Sequence, residues 1–153
     1  MKVALFTLMF LLLPFALFSQ DGGSKEEEDK KNGLAVFLGA TSNKDATVFA
    51  IGLDYQYRIN KIIGVGAVGD YASGSIESLL LGPALFLHAW HFEFTIAPTV
   101  EFSGGDVAWP VRVGVGYEFE LPKSVTISPA VFFDTERNDE SALVYGLAFG
   151  FEF

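Results

Sequence analysis

The sequence contains no cysteine, although it has 153 residues. A disulfide framework is therefore excluded, and so is a lipid-modified N-terminal cysteine of the bacterial lipoprotein kind. Basic residues are also scarce, with 10 Lys and Arg against 19 Asp and Glu, a formal net charge of −9. Because an acidic chain without a basic stretch is repelled by phosphate backbones, this composition argues against nucleic-acid binding.

Long apolar runs are scarce as well, and the sequence has one, from Val3 to Phe18 after Lys2. It predicts a signal peptide over residues 1–20, with cleavage near Ser19. The alternative is an uncleaved anchor, but the run is shorter than the roughly 20 residues that a spanning helix needs. Residues 21–32 are charged and lack apolar side chains, which predicts a flexible leader. A cation- or partner-binding tail around residues 26–29 is the alternative for that segment.

The remaining residues, 33–153, repeat one pattern of about ten alternating residues followed by a short polar or glycine-containing break. Such alternation is typical of β-strands with two unlike faces. Seven breaks predict eight strands in one all-β domain, at 33–41, 46–59, 62–71, 78–88, 92–102, 107–121, 125–135 and 142–153. Most have the length that a tilted transmembrane strand needs, and an antiparallel up-and-down barrel follows from the short connections.

The apolar face is expected outside the barrel. An eight-stranded barrel has an interior that side chains just fill, and the many large apolar side chains would not fit there. The opposite face carries mostly Gly, Ala, Thr and Ser with a few charges. Aromatic residues gather toward strand ends, as in the girdles of membrane barrels. The predicted girdle comprises Tyr55, Tyr57, Tyr71, Trp90, Trp109 and Tyr117.

Four prolines fall inside predicted strands, namely Pro83, Pro98, Pro110 and Pro129. Each removes a backbone donor from a closed sheet, so we expect local bulges or bends at these positions.

The last predicted strand, A-L-V-Y-G-L-A-F-G-F-E-F, has large apolar residues at alternate positions and ends in Phe153. It resembles the C-terminal strand of bacterial outer-membrane barrels, and residues 33–153 resemble the small outer-membrane protein A and X type barrels. The resemblance implies that Tyr145, Phe149, Phe151 and Phe153 form an insertion signal read by the outer-membrane assembly machinery. It also implies export to the outer membrane, both chain ends in the periplasm, contact with outer-membrane lipid and a monomeric state.

Charged residues on the inward face are expected to form an interior network, with Arg112 opposite or diagonal to Asp134 if their strands pair. An acidic path for cations is the alternative reading. The predicted network comprises Asp54, Arg58, Glu93, Arg112, Glu118, Glu120, Asp134 and Glu152.

No catalytic, cofactor or metal site is predicted. Some small outer-membrane barrels act on lipid A with a Ser/His pair, but here His88 and His91 flank a predicted periplasmic turn, far from the serines of the outer breaks. Two histidines around Trp90 without a third ligand are weak support for a metal site. We therefore expect a non-enzymatic envelope protein contributing to membrane integrity or surface contact. The alternatives are a barrel that binds or transports a small ligand or ion, and a soluble lipocalin-like carrier.

Overall fold

The computed structural model describes residues 30–135 and 141–153. The predicted signal peptide, most of the predicted leader and most of the last predicted break lie outside these residues. The described chain forms eight barrel strands, two of them in segments. They are β1 Asn32–Ser42, β2 Thr47–Arg58, β3 Ile63–Ala72, β4 Ser78–Ala89, β5 Phe92–Pro98 with Val100–Ser103, β6 Asp106–Ala108 with Val111–Tyr117 and Phe119–Leu121, β7 Val125–Thr135, and β8 Ala142–Glu152. A single turn of 3₁₀ helix, Gly74–Ile76, joins β3 to β4. No helix among the described residues is long and apolar enough to cross a membrane.

The eight strands close into a barrel because the first strand pairs with the last. Each strand is antiparallel to its neighbours in the chain, and β1 pairs with β8 from Gly33 opposite Glu152 to Ser42 opposite Leu143. Two backbone hydrogen bonds between Asn32 and Phe153 extend this seam, with N···O distances of 3.2 and 2.8 Å. The predicted strand number, connectivity and closure are confirmed, and closure leaves no edge for a further strand to pair with.

The apolar face of the strands lies on the outside of the barrel, as the side-chain volumes predicted. On β8, Leu147 and Phe149 have 43% and 42% of their surface exposed, whereas the neighbouring inward residue Val144 has 1%. The same contrast is found on the other strands, where Phe94, Val113 and similar side chains point outward. A lipocalin-like arrangement, with the large apolar side chains inside, is therefore wrong for this chain.

The interior is a packed core rather than an open lumen. One buried cluster consists of Phe37, Ala50, Ala130, Phe132 and Val144. In it, Phe37 and Phe132 meet edge to face, with ring centroids 5.7 Å apart. A second cluster consists of Val68, Ala84, Phe86 and Ala97. The small inward residues expected from the sequence leave room for three large rings from β1, β4 and β7, which fill the barrel between its ends.

Glycine is required where strands approach closely at the β1–β8 seam. Gly39 lies directly opposite Gly146. A Cβ atom on Gly146 would lie 2.5 Å from the Cα atom of Gly39, and one on Gly39 would lie 2.6 Å from the ring of Phe37. Because real Cβ atoms do not come so near to other atoms, the close approach of β1 and β8 at this seam depends on the glycine pair.

Bulges or bends were expected at the prolines, and the described strand pairs contain no bulge at Pro83 or Pro98. Leu81 pairs with Val100 and Leu85 with Ile96, so equal numbers of residues separate these pairs on β4 and β5. This register places Pro83 opposite Pro98, and two residues that each lack an N–H then share one rung of the ladder.

The third proline, Pro110, is hydrogen-bonded to the neighbouring strand through Thr99. Both the backbone N–H and the hydroxyl of Thr99 donate to the carbonyl of Pro110, at 3.0 and 2.8 Å. Pro98 and Pro110 therefore interrupt the hydrogen-bond ladder where β5 breaks at Thr99 and β6 breaks at residues 109–110, without inserting an extra residue.

Candidate functional site

The described residues form two polar regions in the interior, one toward each end of the barrel. The first, which we call the loop-end cluster, consists of Arg112, Asp134 and Asp70. Arg112 donates to both carboxylate oxygens of Asp134, from Nε at 2.6 Å and from Nη2 at 2.8 Å. Its Nη1 donates to Asp70. The guanidinium also lies over the ring of Phe132, 5.2 Å from its centroid.

Pairing of adjacent strands explains the contact of Arg112 with Asp134, and closure of the barrel explains its contact with Asp70. Arg112 on β6 lies directly opposite Asp134 on β7, since the turn between these strands sets their register. Asp70 comes from β3, which is not a neighbour of β6 in the barrel, so its contact with Arg112 crosses the lumen. Arg112 is only 3% exposed, and the two carboxylates satisfy the charge of this buried cation. The cluster therefore closes the interior at the end that carries the 42–47, 72–78 and 103–106 connections.

The second region, the terminus-end cluster, lies where both ends of the described barrel meet. Arg58 is 2.8 Å from Glu152 and 3.8 Å from Glu118. His88 lies between two carboxylates, with Nε2 3.6 Å from Glu93 and Nδ1 3.5 Å from Glu118. These side chains are only partly exposed, and that of His88 is 7% exposed.

Gln56 joins the same cluster, and its side-chain nitrogen lies 2.6 Å from Nε2 of His88. A cavity of about 60 Å³ opens beside the cluster. Asp54, Arg58, Glu93 and Glu118 contribute to its lining, together with Phe86 and Phe132 of the core. A cavity of this size has room for a few water molecules.

The predicted interior network is thus split between two places. Asp54, Arg58, Glu93, Glu118 and Glu152 gather toward the termini, and Arg112 and Asp134 lie toward the loops. Glu120 lies beyond this group at the end of β6, where it is exposed, and its part in the network stays a prediction. The segment after the break at Glu118 stays in register with β7, and Glu120 lies opposite Thr126. At the break itself, the N–H of Glu118 donates to the carbonyl of His91 at 2.7 Å.

The predicted girdle residues occupy both rims. Tyr71 and Trp109 are exposed toward the loops, and Tyr57 and Trp90 are exposed toward the termini. Tyr55 is half-buried and its hydroxyl donates to Asn32 at 2.9 Å. Tyr117 packs against Phe92 and Phe119, with ring centroids 5.1 and 4.8 Å away.

The residues of the predicted insertion signal share the outward face of the last strand. The exposed fractions of Tyr145, Phe149, Phe151 and Phe153 lie between 41% and 49%. Phe151 and Phe153 stack on each other with centroids 6.1 Å apart. Their use as a signal stays a prediction.

Sequence reasoning missed the grouping of His88 with Glu93 and Glu118, whose possible ligand atoms all lie within 4.8 Å of one another. It considered His91 as the second ligand instead, but His91 is exposed and packs on Tyr117. The sequence could have indicated the pairing of His88 with Glu93, because the short turn between β4 and β5 places these two residues directly opposite each other.

Comparisons with known proteins identify the fold. No protein-family model matches the chain, and no curated protein matches its sequence. Among solved structures, it is similar to the N-terminal β-barrel domain of Pseudomonas aeruginosa OprF, with 9% identity over 80% of this chain and 98% of that one and a TM-score of 0.57. It is similar to the Yersinia pestis outer membrane protein Ail, with 11% identity over 82% and 100% of the two chains and a TM-score of 0.56.

A de novo designed transmembrane β-barrel matches over 80% of this chain and 98% of its own, with 15% identity and a TM-score of 0.56. At such identities the likeness concerns the backbone. The chain has the fold of the small, closed, eight-stranded transmembrane β-barrels, the fold of OprF's N-terminal domain and of Ail.

Proposed function

We propose that this protein is an integral outer-membrane β-barrel with a non-enzymatic, structural role in the integrity of the cell envelope. The observation that carries the proposal is the combination of an apolar outer surface with a filled interior. On the outer surface, Leu147 and Val113 are exposed, whereas in the interior Phe37 and Arg112 are buried. A protein with this cross-section adds a rigid, sealed cylinder to a bilayer.

The height of the apolar surface supports a membrane location. On β2, the outward face runs from Phe49 near the loop end to Tyr57 near the terminus end, both exposed. Eight steps of about 3.3 Å along a strand tilted by about 40° span roughly 20 Å between Cα atoms. With the reach of the two aromatic rings, this approaches the apolar band of about 25 Å that outer-membrane barrels present.

The filled interior favours the structural role over transport. The two apolar clusters occupy the middle of the barrel, and the loop-end cluster closes the route beyond them. The lining of the cavity of about 60 Å³ includes Arg58 and Glu152 of the terminus end and none of the three residues of the loop-end cluster. Among the described connections at the loop end, 43–46, 73–77 and 104–105 are short. Such connections offer little area to a partner, which favours membrane integrity over surface contact.

The proposal includes periplasmic chain ends, contact with outer-membrane lipid, assembly by the outer-membrane machinery and a monomeric state. It assigns no reaction. His88 lies at the terminus end, whereas Ser73, Ser75 and Ser103 lie at the loop end, so the histidine and these serines cannot act as a pair.

Two measurements test this role together. Cells lacking the protein should take up a bulky antibiotic or dye faster than wild-type cells, and the wild-type gene should restore the barrier. The purified protein in a planar bilayer should show no discrete conductance steps. Normal permeability of the deletion strain, together with reproducible channel currents from the pure protein, would replace the structural role with transport.

A further inference from the structure

We propose that His88, Glu93 and Glu118 form a binding site for a divalent transition-metal ion, with Zn²⁺ as the best-fitting ion, at the terminus-end mouth of the barrel. This site is independent of the structural role proposed above, since nothing in that role requires a metal.

The spacing of the three side chains fits a small coordination sphere. Their possible ligand atoms lie within 4.8 Å of one another. The two contacts of His88 use different ring nitrogens, with Nε2 3.6 Å from a carboxylate oxygen of Glu93 and Nδ1 3.5 Å from one of Glu118. Only one of these nitrogens can bind a given ion. Zn²⁺ bound to nitrogen and oxygen at about 2.0–2.2 Å in tetrahedral geometry separates its ligand atoms by roughly 3.3–3.6 Å. Rotation of these side chains must therefore bring their ligand atoms up to about 1.5 Å closer together. Binding through Nε2 of His88 would also displace the side-chain nitrogen of Gln56, which lies 2.6 Å from it.

The barrel fixes the three residues on adjacent strands. His88 on β4 lies opposite Glu93 on β5, and Glu93 lies opposite Gly116 on β6. Glu118 follows two residues later, with its backbone held by the hydrogen bond to His91. Because sheet pairing determines all three positions, little backbone ordering is lost when an ion binds.

The charge around the cavity, to which Asp54 and Glu152 contribute besides the two proposed ligands, adds a reason to expect a cation. Four carboxylates, from Asp54, Glu93, Glu118 and Glu152, line the cavity, whereas Arg58 is the cation of the terminus-end cluster. A divalent ion would offset this excess of acidic groups in a partly enclosed space.

Arg58 also lies beside one of the proposed ligands, with its Nη2 3.8 Å from Glu118. It faces Oε1 of Glu118, and Oε2 of the same carboxylate faces His88. Such outer contacts commonly hold a carboxylate in position for a metal. The adjoining cavity of about 60 Å³ leaves room for a water molecule to complete a four-coordinate shell.

The donor set favours a transition metal over Mg²⁺ or Ca²⁺. An imidazole nitrogen suits Zn²⁺, Cu²⁺ or Ni²⁺, whereas the hard alkaline-earth ions prefer oxygen ligands alone. Bound there, an ion would join β4, β5 and β6 at the mouth of the barrel.

Calorimetric titration of Zn²⁺ into the full chain, purified from membranes in detergent, tests the proposal. We expect one tight site per chain, at least tenfold weaker in His88→Ala, Glu93→Gln and Glu118→Gln. His91→Ala and Glu120→Gln are the matched controls and should bind as wild type does. Folding of each variant is checked by its heat-dependent migration on a gel, and if His88→Ala fails to fold, the two glutamine variants decide.

Two results would overturn the site. Unchanged Zn²⁺ affinity in the folded variants would place the ion elsewhere, for example on the acidic residues at 26–29. Displacement of Zn²⁺ by an equal concentration of Mg²⁺ would show only general attraction to negative charge. Substitution with Co²⁺ adds a spectroscopic readout, because loss of its visible absorption bands in His88→Ala is expected only if the imidazole is a ligand.

Discussion

Replacement of Arg112 by methionine tests the energetic role of the loop-end cluster. Methionine keeps the unbranched stem that packs beside Phe132 but removes the charge. Asp134 then loses two hydrogen bonds of 2.6 and 2.8 Å and Asp70 loses its contact, while both stay more than 90% buried. Removing one partner of a buried ion pair costs about 3–5 kcal/mol, because the remaining charge is left without compensation. The folding equilibrium constant should therefore fall by more than about a hundredfold.

The assay is urea unfolding of the protein in lipid vesicles, followed by the fluorescence of Trp90 and Trp109. Arg58→Met is the matched control. Its guanidinium is 30% exposed at the terminus end, and so we expect a loss below about 1 kcal/mol. Neutralising both aspartates in Arg112→Met/Asp70→Asn/Asp134→Asn should restore at least half of the lost stability. If Arg112→Met unfolds within about 1 kcal/mol of wild type, the reasoning about this buried cluster is wrong.

Three further substitutions test the seam, the outer surface and the last residue. Gly146→Ala should strongly reduce the folded fraction after refolding into detergent, because its Cβ atom would meet backbone; Gly116→Ala, where the nearest atom is 3.6 Å away, should fold normally. Leu147→Arg should cost about 2–4 kcal/mol in vesicle unfolding, since it places a charge near the bilayer midplane, whereas Leu121→Arg at the rim should cost about 0–1 kcal/mol. An equal cost at both positions would contradict the membrane orientation. Phe153→Asp should lower the amount assembled in the outer membrane of cells, and normal assembly would remove the special status of this residue.

Periodicity predicted the fold well because strand formation and face assignment depend on nearest neighbours in sequence. Alternation identifies the two faces, and side-chain volume decides which one is outside. The pairing of Arg112 with Asp134 was also within reach, because a short turn connects their strands. These features depend on local register, which a sequence reveals.

Contacts across the lumen could not be predicted in the same way. Asp70 meets Arg112, and Phe37 meets Phe132, from strands that are not adjacent in the barrel. Which inward residues meet depends on the stagger of all the strands together. The prolines show a related limit, since the coincidence of Pro83 with Pro98 follows from the β4–β5 register and not from either residue alone.

Cell fractionation followed by gel electrophoresis of heated and unheated samples tests the central claim most directly. A closed transmembrane barrel should be recovered with the outer membrane, should require detergent for extraction and should migrate differently before and after boiling. Recovery in the soluble periplasm without detergent, with the same migration in both samples, would contradict the account.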